Sequence, residues 1–259
     1  MGKNDSSKTR VAPVFNQLLN DDPTGCSWLP RLIRLPIESN SLSIQPNCRF
    51  IIKEHRWGAN EKKLNPPVAL LSWLIRHPRE PVSGILSSDL AKAEKRRQWI
   101  EGSQKTTIEG LSLLRHNPKG CDWHIFEGQT QPDVFIETDD MIIVIEGKRT
   151  EREPTIKTKW MQGRNQMLRH LDCAWEICGE KQLVGFFIVE GNESSVEVSS
   201  QWMAFAEATV NRATIASSLP HRGPEEQQGI ASCFIGVTTW QRVCKEFGID
   251  WANLPDENK

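Results

Sequence analysis

Three residues near the middle of the chain, Asp133, Glu146 and Lys148, have types and spacing that could do chemistry. Two carboxylates and an ammonium are the groups that bind a hard divalent cation and steady the charge developing on an attacked phosphodiester. Glu146 and Lys148 close "VIEGK" (144–148), the end of a β-branched apolar run, and Asp133 opens the preceding run "DVFIET" (133–138). Only Asp139 and Asp140 separate the two runs. A tight antiparallel hairpin is therefore the simplest connection, although Asp-Asp is a weaker turn signal than Asn-Gly. Pairing Thr138 with Met141 sets Phe135 opposite Val144 and Asp133 opposite Glu146, with Cβ atoms roughly 4.5 to 5.5 Å apart on one face. Side-chain alternation puts Lys148 on that face too. A solvated strand end is the plainer alternative. Opposed like charges destabilise a hairpin, and burial aggravates the clash, so a structural role accounts poorly for the pair. A divalent cation such as Mg²⁺, which takes one or two carboxylates and keeps several waters, accounts for it better. Lys148 is then placed to orient the attacking water or stabilise developing charge.

The surrounding elements must position these groups. "VALLSWLIRH" (68–77) follows Pro66-Pro67 and reads as a helix stopped before Pro78. A helical stretch begins after Ser87-Ser88, is interrupted at Gly102-Ser103, and ends by Asn117-Pro118. Within it, Thr106 and Glu109 have capping-box spacing. Strands are predicted at 122–128, 133–138 and 141–148, with a possible earlier one at 48–57. Apolar residues at three- and four-residue steps predict a helix over 155–178, stopped by Gly179. Two more strands are expected at 183–191 and 231–240. Residues 1–45 are rich in Pro, Asn, Ser and Asp and read as an irregular arm, with a weak boundary at 78–88.

Composition excludes several classes. With 259 residues and 38% apolar composition, the chain can bury a substantial core. No apolar run approaches the roughly 18 to 20 residues of a membrane span, and the N-terminus lacks a signal-peptide core, so a soluble cytoplasmic protein is expected. Seven cysteines without a C-x-x-C pair argue for reduced thiols. Scattered histidines give no zinc-ligand spacing. The net charge of −1 makes no general case for a nucleic-acid partner, but residues 148–169 carry seven basic residues against two acidic ones.

"PD" (132–133) followed across a hairpin by "EGK" (146–148) resembles the PD-(D/E)XK nuclease superfamily, the restriction-endonuclease-like fold. The resemblance covers about 100 residues, from roughly 89 to 191, where the expected order of helix, three strands, helix and strand is similar to that family's core. It implies an α/β protein with a restriction-endonuclease-like core, a central mixed β-sheet flanked by helices in αβββαβ order. Residues 1–85 would form an N-terminal extension of undefined role, and 86–259 the nuclease-like domain. It further implies that Asp133 and Glu146 bind Mg²⁺ or Mn²⁺, with the Gly147 carbonyl as another ligand, and that Lys148 acts on the water. Glu109 is the candidate for the extra glutamate many members bring from the helix before the sheet. Some subfamilies carry Q-x-x-x-Y on the following helix. This chain has no tyrosine, but has Gln162, Gln166 and, four residues beyond, His170, which leaves the subfamily open and makes Gln166 a further candidate. Beside such a site, Arg149, Arg152, Lys157, Lys159 and Arg164 are placed to contact a nucleic-acid backbone. The implied activity is metal-dependent phosphodiester hydrolysis, DNA before RNA, with homodimerisation common in the family. Two alternatives stay open: a catalytically silent nucleic-acid-binding or assembly subunit with this fold, and an unrelated α/β domain in which "EGK" merely ends a core strand.

Overall fold

The structure, a computed structural model, describes residues 6–36, 48–78, 87–151, 153–155, 157–158, 160–191 and 196–256. A π-helical turn (Ser7–Val11) runs into α1 (Ala12–Asp21), followed by α2 (Leu29–Leu32), β1 (Ile52–Trp57), α3 (Val68–Arg76), α4 (Leu90–Ile100) and α5 (Gln104–His116). Next come β2 (Val134–Thr138), β3 (Met141–Lys148), a small hairpin of β4 (Lys157–Thr158) and β5 (Met161–Gln162), α6 (Gln166–Cys178) and β6 (Gln182–Val189). The chain closes with α7 (Ser200–Thr209), α8 (Arg212–Ser218), α9 (Pro224–Ser232), β7 (Phe234–Thr239) and α10 (Trp240–Phe247). No helix among the described residues is long and apolar enough to cross a membrane.

The main sheet has the order β1-β2-β3-β6-β7, antiparallel from β1 to β3 and parallel from β3 to β7. It is the mixed sheet between helices that the sequence predicts. β3 is buried along its length because it is central and covered on both faces, which is why it reads as a continuous apolar run. Ile143, Ile145, Val184 and Phe186 face α1, α2 and α10, whereas Ile142, Val144, Leu183 and Phe187 face α6 and the helices after it. The β2–β3 register pairs Val134 with Ile145 and Phe135 with Val144, as the two-residue turn demands. Its weak Asp-Asp sequence is supported by the Thr138 hydroxyl, which accepts from the amides of Asp140 and Met141, and by Arg49 on Asp140.

Four expectations change. Residues 122–128 form no strand. Trp123, Ile125 and Phe126 turn into a separate cluster with Trp99 and Trp160, and Arg96 donates to the carbonyls of Trp123 and Ile125 in place of a ladder. The third strand of the antiparallel set is β1, inside the stretch 48–57 expected as an earlier strand, whereas the segment read as an irregular arm is helical over Ser7–Asp21 and packs Val11, Val14 and Phe15 on the same core. The helix expected over 155–178 begins only at Gln166. Asn165 caps it, and Gly163 before it holds φ +78, which favours glycine. α5 is capped by Ser103, not by a Thr106–Glu109 box, so Glu109 lies inside the helix. The expected boundary at 78–88 falls largely on 79–86, outside the described residues.

Candidate active site

Glu146 and Lys148 lie on the α6 face at the end of the β2–β3 hairpin, and Asp133 sits beside them at the start of β2, turned toward the Gly147 amide. Glu146 is 4% exposed and Lys148 8%. Lys148 Nζ donates to Glu146 Oε1 at 2.9 Å, the contact expected of residues two apart on one strand. Asp133 leaves the strand end by accepting the Gly147 amide on Oδ2 at 2.7 Å. Gly147 is required there: a Cβ would lie 2.8 Å from the Trp240 ring and 3.3 Å from Asp133 Oδ2. Trp240 Nε1 in turn donates to the Lys148 carbonyl at 3.2 Å, which steadies the strand from its other face.

The first turns of α6 complete the cluster. Gln166 Nε2 donates to Glu146 Oε1 at 2.6 Å, and Gln166 is itself held by the backbone of Thr155 through its side-chain oxygen and its amide. His170, one turn on, lies 3.0 Å from Glu146 Oε2 through Nε2 and 2.9 Å from the Thr130 hydroxyl through Nδ1. An ionised carboxylate only accepts, so Nε2 donates to Glu146, and in the neutral ring Nδ1 accepts from Thr130. The i, i+4 spacing of Gln166 and His170 puts both on one helix face, and that spacing is the sequence signal for His170's place. Thr130, fixed by reciprocal backbone bonds to Leu64, carried no such signal.

The two carboxylates are pushed apart electrostatically. Burial and the neighbouring charge of Glu146, with a lesser push from Glu61, drive Asp133 well above the usual carboxylate range, against the Gly147 amide and Lys148. Burial also works against ionised Glu146, but the His170 hydrogen bond, the Lys148 charge and their further contributions outweigh it and hold Glu146 below its ordinary value. Burial disfavours the Lys148 ammonium as well, yet Glu146, Asp133 and Glu151 more than compensate, so Lys148 is held charged. Such opposed environments for adjacent carboxyls are a feature of reactive sites.

Asp133 opens onto a cleft of about 550 Å³ that Ser7, Lys8, Glu61, Lys63 and Gln131 also line. Its Oδ1 takes no hydrogen bond among the described residues, and Glu146 Oε2 takes one. The donor set of a buried and a half-buried carboxylate with unused oxygen lone pairs, Asp133 without a salt-bridge partner among the described residues, fits a hard divalent cation that retains waters. No group of three or more His, Cys, Asp or Glu suited to a metal occurs among the described residues.

The other candidates lie elsewhere. Glu109 is on α5, paired with Lys95 in a helix that packs on α3 and α4. Glu61, which sequence reading passed over, is the acid that lines the cleft beside Asp133. Arg164 is a correction: it is buried between Glu127, at 3.1 Å, and Asp172, at 2.8 Å, where no nucleic acid reaches it. Its position among basic neighbours concealed partners 37 residues upstream and 8 downstream in the chain. Arg149 is tied to Glu190 and Asp256, each at 3.2 Å. Arg152 and Lys159 lie outside the described residues, as does the Lys157 side chain.

No protein-family model matches the chain, and neither the curated proteins nor the solved structures yield a significant match.

Proposed function

We propose that the chain is a metal-dependent nuclease of restriction-endonuclease-like fold, hydrolysing phosphodiester bonds at Asp133, Glu146 and Lys148. The observation that carries this reading is the buried Glu146 with its charged lysine beside a half-buried Asp133 that opens on a cleft at the end of the β2–β3 hairpin. The element order supports it. Of the expected αβββαβ order, the helical stretch of α4 and α5, then β2, β3, α6 and β6 are present in sequence, while the strand expected at 122–128 is not formed and β1 takes the place beside β2.

Asp133 and Glu146 would hold Mg²⁺ or Mn²⁺, which supplies Lewis-acid polarisation of the phosphate and a water of lowered pKa. Lys148, held protonated, is not a general base. It donates to the water or to the phosphoryl oxygens as negative charge builds there, a contribution worth about 10²- to 10³-fold in rate. Gln166 and His170 fix the orientation of the Glu146 carboxylate, with Thr130 fixing His170 in turn. Glu146 is enclosed by Gln166 and His170 on the α6 side and by Lys148 along the strand, which limits water there.

A catalytically silent binding subunit is favoured by one observation: Lys148, Gln166 and His170 already take three of the four lone pairs of Glu146. The test separates the two. Labelled single-stranded, duplex and branched DNA, and RNA, are incubated with Mg²⁺, Mn²⁺ or EDTA and wild type, Asp133→Ala or Lys148→Ala. Metal-dependent cutting lost in both variants is expected. Binding without cutting by the wild type selects the silent reading.

A further inference from the structure

We infer that a single nucleic-acid strand is bound along a track from Asp133 to His55, with its phosphodiester backbone on Lys8 and Lys63 and a base on the His55 ring. This rests on the proposed function and assigns its substrate contacts to residues outside the basic segment 148–169.

The first observation is the state of the cations. Arg149 is consumed by Glu190 and Asp256, and Arg164 by Glu127 and Asp172. Lys62 pairs with Glu54 at 2.7 Å. Lys8 and Lys63 are exposed, line the cleft onto which Asp133 opens, and make no ion pair or hydrogen bond among the described residues. Two ammonium groups beside Asp133 form a wall that attracts a phosphate. Lys8 is carried on the π-helical turn, whose Val11 lies against Gly147, so its placement is coupled to the end of β3. Arg10 anchors that turn through two hydrogen bonds to Glu190.

The second observation is the continuation of the cleft. A further cavity of about 320 Å³ shares the rim Ala12, Gly58 and Ala59 and is lined by Asn16, His55 and Trp57. Gly58 holds φ +65 at this rim, a conformation that keeps it free of a side chain. His55 is exposed and lies on Trp57, with ring centroids 4.5 Å apart and planes at 31°. Trp57 is buried and fixed by its Nε1 donating to Asn16 at 2.9 Å. A ring held rigidly on one side and open to solvent offers the surface on which an unpaired base stacks. Both cavities have the dimensions of small-ligand sites, roughly 300 to 1,000 Å³, which admit unstacked nucleotides and not a duplex.

The test is binding in EDTA, which keeps it separate from cleavage. Anisotropy of a fluorescein-labelled single-stranded oligonucleotide, and of its duplex, is measured with full-length wild type, Lys8→Glu/Lys63→Glu, His55→Ala and the control Lys105→Glu. Circular dichroism checks the fold of each. The lysine pair is expected to weaken single-strand binding more than about tenfold and to flatten the salt slope by roughly 1.4, two phosphates at about 0.7 each. His55→Ala is expected to weaken it about fivefold or more. The wild type should prefer the single strand. Binding by both variants within about twofold of the control, or equal affinity for the duplex, overturns the inference, even if the wild type cleaves DNA. The expected pattern in a protein that cleaves nothing upholds it while the catalytic reading fails.

Discussion

Arg164→Met should be among the most destabilising single substitutions in this protein. The Arg164 side chain has no solvent exposure, and its guanidinium bonds to both oxygens of Glu127 and to Asp172, with a further donor on the Ser218 carbonyl. Asp172 keeps His221 at 3.2 Å and Arg222 at 3.0 Å after the loss. Glu127 is left with Arg169, which comes within 3.3 Å but makes no hydrogen bond through that Nε–H. The substitution thus strands one buried carboxylate, a loss of about 3 to 5 kcal/mol, out of a total stability of roughly 5 to 15. Because Arg164 adjoins the cap Asn165 and Gln166, the start of α6 should loosen with it. Urea unfolding followed by tryptophan fluorescence measures the change, read as a lower midpoint with an unchanged slope. Adding Glu127→Gln should restore about 1 kcal/mol or more, because the stranded group is no longer charged. A loss below about 1 kcal/mol for Arg164→Met, or an additive further loss in the double variant, would refute the reasoning.

Asp172 predicts an acid limb of stability. Burial raises its pKa, but the His221 hydrogen bond and the charges of Arg164, His221 and Arg222 prevail and hold it at about 2, against an ordinary 3.8. A depressed folded value means the stabilisation, about 2 kcal/mol, is complete above pH 4 and is lost as pH falls toward 2, with Asp172→Asn flattening that limb in urea titrations. Gly147→Ala should cost about 1 to 3 kcal/mol by forcing Cβ against Trp240 and Val11, measured by thermal unfolding. His170→Ala strips a partner from both Glu146 and Thr130 and should cost about 1 to 3 kcal/mol in the same assay. Asn165→Ala removes the α6 cap on the Leu168 amide and a bond to Thr209, for about 1 to 2 kcal/mol, and amide exchange should rise first in residues 166–169.

The sequence by itself determined the β2–β3 hairpin and its register, because a two-residue connection and a period-2 pattern leave one pairing that buries Phe135 and Val144 together. With that register came the meeting of Asp133, Glu146 and Lys148, and the long apolar stripe of α6 and the runs of β6 and β7 were legible for the same local reason. Tertiary structure decided everything that depended on distant partners. β1 joins β2 across about 80 residues, a pairing no local pattern encodes, whereas 122–128, with the composition of a strand, is claimed by Trp99, Trp160 and Arg96. Charge type was visible in Arg149 and Arg164, but not the acids that neutralise them from other elements. Lys8 and Lys63 carry no local mark distinguishing them from paired lysines. The cleft they line exists only where the N-terminal turn, the loop after β1 and the start of β2 converge, since a cavity belongs to the packing of separate segments and not to any one of them.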